Sequence, residues 1–128
     1  MATNDTVDMS GYDEMLAEVQ ALYDAGRDQE TSVWADQLLG KVEQQGLNDS
    51  LIYSESMRLF GMAQYRMENY PMADGALRFA YETRNAQDKG DDAVGIGILQ
   101  ALSEIAILRG QSVAASSLLT LISQHLEK

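Results

Sequence analysis

Apolar residues recur every three to four positions along most of the chain, which is the spacing of one face of an α-helix. Short polar or glycine-containing turns separate these runs. The pattern predicts six helices, over about 10–26, 31–46, 49–68, 71–88, 93–109 and 113–126. β-Branched residues are sparse and the single proline, Pro71, suits a first helical turn, so the chain is predicted to be all-α.

Polar residues in front of the apolar runs predict where the helices begin, because Ser, Thr and Asp side chains accept hydrogen bonds from the first free backbone N–H groups. Glycines behind the runs predict where the helices end, since glycine readily takes the left-handed conformation that closes a helix. The expected caps are Ser10 or Asp13, Thr31 or Ser32, Asp49 or Ser50, Asp91 or Asp92, and Ser112. The expected stops are Gly26, Gly46 and Gly110.

The six helices are predicted to pair as three antiparallel hairpins, at about 10–46, 49–88 and 91–126, because the connecting turns are only a few residues long. A chain of 128 residues is expected to form a single domain, here 10–128. Residues 1–9 are polar and acidic with little periodicity, and they are expected to form a flexible N-terminal tail.

The three hairpins are similar to one another in sequence. A step of 42 residues takes Gly61 to Ser103 and Leu77 to Leu119, and it preserves small or apolar character at most positions in between. The same step backwards matches the first half of the first hairpin, but the second half matches best with a step of 38 residues, from Ala35 to Ala73. The sequence therefore predicts three copies of one unit, with a turn about four residues longer in the first copy.

The middle copy resembles the tetratricopeptide repeat. That family shows a small residue and then an aromatic in the first helix, a Gly/Asn-Tyr turn, and an Ala-x-x-x-aromatic/Leu-x-x-Ala run in the second helix. The matching residues here are Gly61, Tyr65, Asn69-Tyr70, Ala73, Leu77 and Ala80. The long spacing, compared with ~34 residues in the common form, is similar to the extended-helix repeats of kinesin light chain and of several bacterial regulators.

The resemblance covers roughly residues 13–126 and implies hairpins stacked as a short right-handed superhelix, in which the first helix of each hairpin lines a concave groove. Two features depart from the family pattern. The proline that usually ends a repeat is absent throughout, and the pattern contains no capping helix after the last hairpin.

The acidic charge narrows the classes of partner. Twenty acidic residues against nine basic ones give a formal net charge of −11, which repels nucleic-acid phosphates and anionic lipid, so neither nucleic acid nor membrane is an expected partner. The charge either keeps the chain soluble or steers a basic partner. The chain has no cysteine, no apolar run long enough for a membrane span and no signal-like N-terminus, so a cytoplasmic location is expected.

Candidate chemistry is sparse. His125, the single histidine, is expected at the surface near a helix end, without companion metal ligands. Residues 95–97 (Gly-Ile-Gly) lack the strand and third glycine of a dinucleotide loop, so they form a loose helical turn or allow a neighbour to approach closely. Asp88, Asp91 and Asp92 lack calcium-loop spacing and suit turn and cap roles. Catalytic residues, bound metal and cofactors are therefore not expected.

One side of the third helix is the best candidate surface for binding. Arg58, Met62, Tyr65 and Arg66 lie within about 100° of one another on a helical wheel, on the side away from Phe60. The resemblance implies a partner-binding groove formed by Glu55, Arg58, Met62, Tyr65 and Arg66, with Gln100, Glu104 and Ile107 from the next copy. Tyr and Met flanked by Arg suit a peptide with acidic and apolar side chains. The alternative is that the arginines pair with carboxylates of the chain itself.

The last helix carries apolar residues on more than one face. The residues predicted to pack on a second subunit or on a partner are Leu118, Leu121, Ile122 and Leu126. A homodimer through this helix is therefore one expected assembly.

Two functions remain open. The first is a non-enzymatic protein-binding module, an adaptor or small chaperone that grips a segment of a partner protein; within the family that the chain resembles, bacterial secretion chaperones are the subclass it suggests. The second is a self-assembling structural scaffold that associates through the last helix. An enzyme is not expected, because no catalytic set is visible.

Overall fold

The computed structural model describes residues 10–87, 89–90 and 92–127, and within them every regular element is an α-helix. The helices are α1 (Ser10–Asp24), α2 (Asp28–Gln44), α3 (Leu51–Arg66), α4 (Tyr70–Ala86), α5 (Ala93–Leu108) and α6 (Ser112–Leu126). The predicted all-α class is confirmed. The expected tail at 1–9 and the turn residues Asp88 and Asp91 lie outside the described residues.

The helix boundaries at the turn within each pair repeat with a period of 42 residues. The first helix of each pair ends at Asp24, Arg66 and Leu108, and the second helix begins at Asp28, Tyr70 and Ser112. The predicted 38-residue step and the longer first turn are therefore wrong. Ala35 is equivalent to Leu77 rather than to Ala73, and Leu38 is equivalent to Ala80. Because alanine and leucine exchange places between α2 and α4, a comparison of residue types favours the wrong register.

Each helix pair is joined by the same tight turn. Gly26, Glu68 and Gly110 occupy equivalent positions and all have a positive φ, at 75°, 64° and 70° respectively. Gly46, which follows α2, also has a positive φ, of 70°, so the three predicted glycine stops are confirmed. Glu68 holds the left-handed conformation without the freedom of glycine, at a cost of roughly 1 kcal/mol.

Two of the predicted caps are confirmed. Ser50 caps α3, where its Oγ accepts a hydrogen bond from the backbone N–H of Tyr53 at 3.2 Å. Asp92 caps α5, where its Oδ1 accepts a hydrogen bond from the backbone N–H of Gly95 at 2.8 Å. Both caps lie in the connections between one pair of helices and the next.

Two of the predicted caps are wrong. α2 begins at Asp28, so Thr31 and Ser32 are buried residues within its first two turns rather than caps. Ser112 is the first residue of α6, and Gln111 precedes it without a side-chain cap. The reason is that the turns in front of α2, α4 and α6 are closed by backbone hydrogen bonds and use no side-chain cap.

The hydrophobic core has two parts, which neighbouring helices share. Each helix packs against the next in the chain, and in addition α1 packs against α3 and α3 against α5. The largest core cluster joins α4, α5 and α6 around Leu77, Ile98 and Leu102, and two smaller clusters join α1, α2 and α3 around Leu38 and Leu59. α3 therefore lies at the centre of the molecule.

Two glycines allow close approach. A Cβ at Gly61 would lie 2.8 Å from Leu77 Cγ and 3.2 Å from Ala76 Cβ, so the glycine lets α3 and α4 cross closely. A Cβ at Gly95 would collide with the carbonyl oxygen of Gly90. Of the two explanations for the glycines at 95 and 97, close approach by a neighbour is therefore the one that holds at Gly95.

Candidate functional site on α1, α3 and α5

The residues predicted to line a binding groove lie on the outward sides of α3 and α5. On α3 they border Leu59 and Ala63, which are fully buried. Arg66 is exposed, and the other four are half-buried: Glu55, Arg58, Met62 and Tyr65. The α5 residues Gln100, Glu104 and Ile107 are all exposed. Because α3 packs against both α1 and α5, we call this surface the α1/α3/α5 face.

Arg66 links α3 to α1 and to the first residue of α2. Its Nη1 donates hydrogen bonds to the backbone oxygen of Tyr23 at 2.9 Å and to Asp28 Oδ1 at 3.2 Å. The guanidinium carbon also lies 3.7 Å from the centre of the Tyr23 ring, which is a cation–π arrangement. The Nη1 group of Arg66 therefore makes its hydrogen bonds within the chain.

A second, more deeply buried network runs through Glu55. One carboxylate oxygen accepts a hydrogen bond from Arg58 Nη2 at 3.1 Å, and the other accepts one from Arg84 Nη1 at 2.5 Å. Arg58 also reaches Gln20 on α1, and Arg84 reaches Asp92 at the start of α5. Four helices are thus linked through two arginines and two carboxylates.

Arg84 is the buried centre of that network, with only 6% of its side chain exposed. A buried guanidinium requires carboxylate partners, and it has two. Burial by itself would raise the pKa of Asp92, but hydrogen bonds from the Gly95 N–H and the Arg84 guanidinium outweigh it and lower that pKa below its usual value. Asp92 therefore stays ionised and holds its partner.

Tyr65 joins α3 to α5. Its hydroxyl donates a hydrogen bond to Glu104 Oε2 at 3.1 Å, and its ring lies 6.1 Å from the ring of Tyr70, centre to centre. Burial, followed by the hydrogen bond to the Glu104 carboxylate, raises the pKa of Tyr65. The phenol is therefore a neutral donor at physiological pH, and its ring is held in one orientation across the face.

The charges on the α1/α3/α5 face are largely neutralised by internal pairs. The four arginines of the middle repeat each contact a carboxylate of the chain: Arg58 with Glu55, Arg66 with Asp28, Arg78 with Asp74, and Arg84 with Glu55 and Asp92. Of the two readings of these arginines, internal pairing is the one that the geometry shows. The exposed groups left for an incoming segment are chiefly Ile107, Gln100 and Glu104.

His125 is half-buried rather than at the free surface that was expected for it. Its Nε2 lies 2.9 Å from the Tyr81 hydroxyl, so the pair links α6 to α4. α6 packs against α5, and its apolar residues join the core cluster to which α4 also contributes. Within residues 10–87, 89–90 and 92–127, no three His, Cys, Asp or Glu side chains are grouped so that they could hold a metal ion.

Of the residues predicted for self-association, three pack into the chain's own core. Leu118 and Ile122 are buried, at 9% and 8% exposed, and Leu121 packs partly buried against the same cluster. Leu126 is 67% exposed. The other exposed apolar residues of α6 are Leu119 and Val113.

An apolar cleft on the opposite side of α3 was also missed. Its floor is formed by Tyr53 and Phe60 of α3, and its wall by Met72 and Phe79 of α4, around a space of about 420 Å³ without charged lining residues. Tyr53 and Phe79 meet edge to face with ring centres 5.5 Å apart. The spacing of Met72 and Phe79, seven residues apart on one helix, was the available signal.

Comparison with protein-family models gives no match to this chain, and comparison with curated proteins gives none either. The likeness to tetratricopeptide repeats therefore rests on the sequence pattern and on the 42-residue period of the helices. Among the described helices, none has the length and apolar character that crossing a bilayer requires.

Proposed function

We propose that this chain is a non-enzymatic protein-interaction module of the tetratricopeptide type, acting in the cytoplasm, with three hairpins stacked as a short right-handed superhelix. The common 42-residue period of the helix boundaries and the equivalent turns at Gly26, Glu68 and Gly110 support three copies of one unit. The packing of α1 on α3 and of α3 on α5 supports a layer made from the first helix of each unit.

The α1/α3/α5 face is the proposed binding surface, used by an adaptor or small chaperone to hold an extended segment of a partner. The observation that carries the proposal is the set of side-chain bonds across the three helices, Arg66 to Tyr23, Arg58 to Gln20 and Tyr65 to Glu104. These bonds hold the face in one arrangement before a partner arrives, which lowers the entropy cost of binding.

The chemistry of the face selects an apolar segment with basic flanks. Ile107 is 59% exposed, and it lies on the same side of α5 as Gln100 and Glu104. Because the arginines are paired internally, they offer little to an acidic ligand, and the net charge of −11 favours basic residues beside the apolar contact. Glu104 supplies a carboxylate for such a residue.

Ile107→Asp is the sharpest test, since it removes the exposed apolar contact without breaking any bond between helices. Tagged wild-type and variant protein are used to capture partners from cells that carry the gene, and the captured partner is then purified and its dissociation constant measured by calorimetry. We expect the variant to weaken binding about tenfold or more. Val33→Asp, an exposed apolar position on α2 outside the face, is the matched control and is expected to bind as the wild type does.

A partner that binds Ile107→Asp as tightly as wild type, or that is lost equally with Val33→Asp, contradicts the α1/α3/α5 face as the binding surface. Circular dichroism of both variants establishes that each is folded, so loss of binding is not loss of structure.

A further inference from the structure

One stripe of α6 remains open to solvent although it has the character of a packing face. Its residues follow one another at intervals of three, four and three: Ser116, Leu119, Ser123 and Leu126. All four are exposed, and Leu119 and Leu126 are 50% and 67% exposed. Alternating steps of three and four are the spacing at which one helix packs lengthwise on another.

The equivalent stripe is covered in both earlier repeats. The 42-residue period makes Leu119 equivalent to Leu77 and Ala35, both of which are 0% exposed. It likewise makes Leu126 equivalent to Arg84 and Val42, at 5% and 0% exposed. These residues lie between the helix before them and the helix after them: Leu77 meets α3 at Gly61 and joins the core cluster of α5, and Val42 and Ala35 pack in clusters with residues of α1 and α3. Within the described residues, nothing occupies the position after α6.

The distribution of charged residues along the chain indicates which kind of partner covers the stripe. α6 contains no Asp, Glu, Lys or Arg, although the chain as a whole carries a net charge of −11. Two copies of so acidic a chain repel one another wherever charged surfaces meet, and the neutral α6 is the surface where that repulsion is smallest. The two-fold axis of a dimer places the same patch on both subunits, so a neutral patch meets a neutral patch.

The other end of the stack is unsuited to receive α6. The outer side of α1 exposes Glu18 beside Ala21 and Ala25, and with Trp34 these residues line a cleft of about 420 Å³ between α1 and α2. Stacking α6 of one copy on α1 of the next would bury the Glu18 carboxylate against an uncharged helix, which is costly. Head-to-tail growth is therefore disfavoured, whereas pairing of α6 with α6 is not.

We propose that the stripe Ser116–Leu119–Ser123–Leu126 is a homodimer interface at which α6 of two copies packs about a two-fold axis. The surface is separate from the α1/α3/α5 face, so the dimer presents two copies of that face and binds a multivalent partner more tightly than one copy does. The dimer does not depend on the proposed function, because none of its evidence comes from the binding residues of the α1/α3/α5 face.

The test is the mass of the 128-residue chain in solution, measured by light scattering over a hundredfold range of concentration. We expect a dimer, and we expect the double variant Leu119→Glu/Leu126→Glu to raise its dissociation constant about a hundredfold or more. Val113→Glu is the matched control: Val113 is 83% exposed on the same helix but lies about 100° around it from the centre of the stripe. The control is expected to remain dimeric. The milder Leu119→Ala/Leu126→Ala serves if the charged variant does not fold, and is expected to weaken the dimer in the same direction.

A monomer at the highest concentration overturns the proposal, as does a dimer that both the stripe variants leave intact or that Val113→Glu disrupts equally. Trp34, the single tryptophan, reports on the cleft at the other end. Its emission is expected to be independent of concentration. Assemblies larger than a dimer together with a blue shift of Trp34 emission also overturn the proposal, in favour of head-to-tail stacking.

Discussion

The close crossing of α3 and α4 predicts opposite effects for two glycine-to-alanine substitutions. Gly61 and Gly75 both lie inside helices, and alanine is favoured over glycine in a helix by about 1 kcal/mol. At Gly75 a Cβ would meet nothing within 4 Å, so Gly75→Ala is expected to stabilise the chain by about that amount. The difference between the two sites lies only in what the new methyl group meets.

At Gly61 the new methyl group meets Leu77 at 2.8 Å from Cγ and 2.9 Å from Cδ2, and Leu77 is fully buried. Overpacking of this kind costs about 1–3 kcal/mol, which exceeds the gain in helix propensity. Gly61→Ala is therefore expected to destabilise the chain by about 1 kcal/mol, so that the two variants differ by about 2 kcal/mol. Urea unfolding followed by circular dichroism measures both. If Gly61→Ala stabilises the chain as much as Gly75→Ala does, the close helix crossing is refuted.

Two further changes test the buried network and the repeated turn. Glu55→Gln leaves the buried Arg84 with one carboxylate partner instead of two, and is expected to lower the free energy of unfolding by about 2–3 kcal/mol in urea titrations. Glu104→Gln, at an exposed pair, should change the free energy of unfolding by less than about 1 kcal/mol. Equal effects of the two substitutions would contradict the difference in burial. Glu68→Gly relieves the strain of a positive φ at the position where the other two turns have glycine, and is expected to raise the free energy of unfolding by about 1 kcal/mol. A loss of stability in the same titration would contradict this strain.

Much of the fold follows from local patterns in the chain. The six helices and their turns were predictable because amphipathic periodicity and glycine stops are local signals, as at Gly26 and Gly110. Which residues of α2 are equivalent to which residues of α4 was not predictable, because the total side-chain volume in a core layer is kept while the residue types that fill it change. Ala35 and Leu38 fill the same layers as Leu77 and Ala80, with the large and small residues exchanged.

For the candidate site, the sequence predicted only which side of each helix faces outward. The wheel put Arg58 and Arg66 on one outward side of α3; Arg66 is exposed, whereas Arg58 is half-buried. Their partners were not predictable, because Gln20 and Tyr23 belong to another helix and their proximity depends on how α1 packs against α3. The same limit explains α6. Its sequence shows apolar residues on more than one face, and packing against α5 decides that Leu118 is buried while others remain exposed.

The central claim is that the outward side of α1, α3 and α5 binds a protein segment through a preformed, partly apolar surface. The most direct measurement is the affinity of the captured partner for Ile107→Asp and for Val33→Asp, side by side with wild type. The claim predicts that binding falls about tenfold or more for Ile107→Asp and is unchanged for Val33→Asp. Equal affinity of all three proteins for the partner would contradict it.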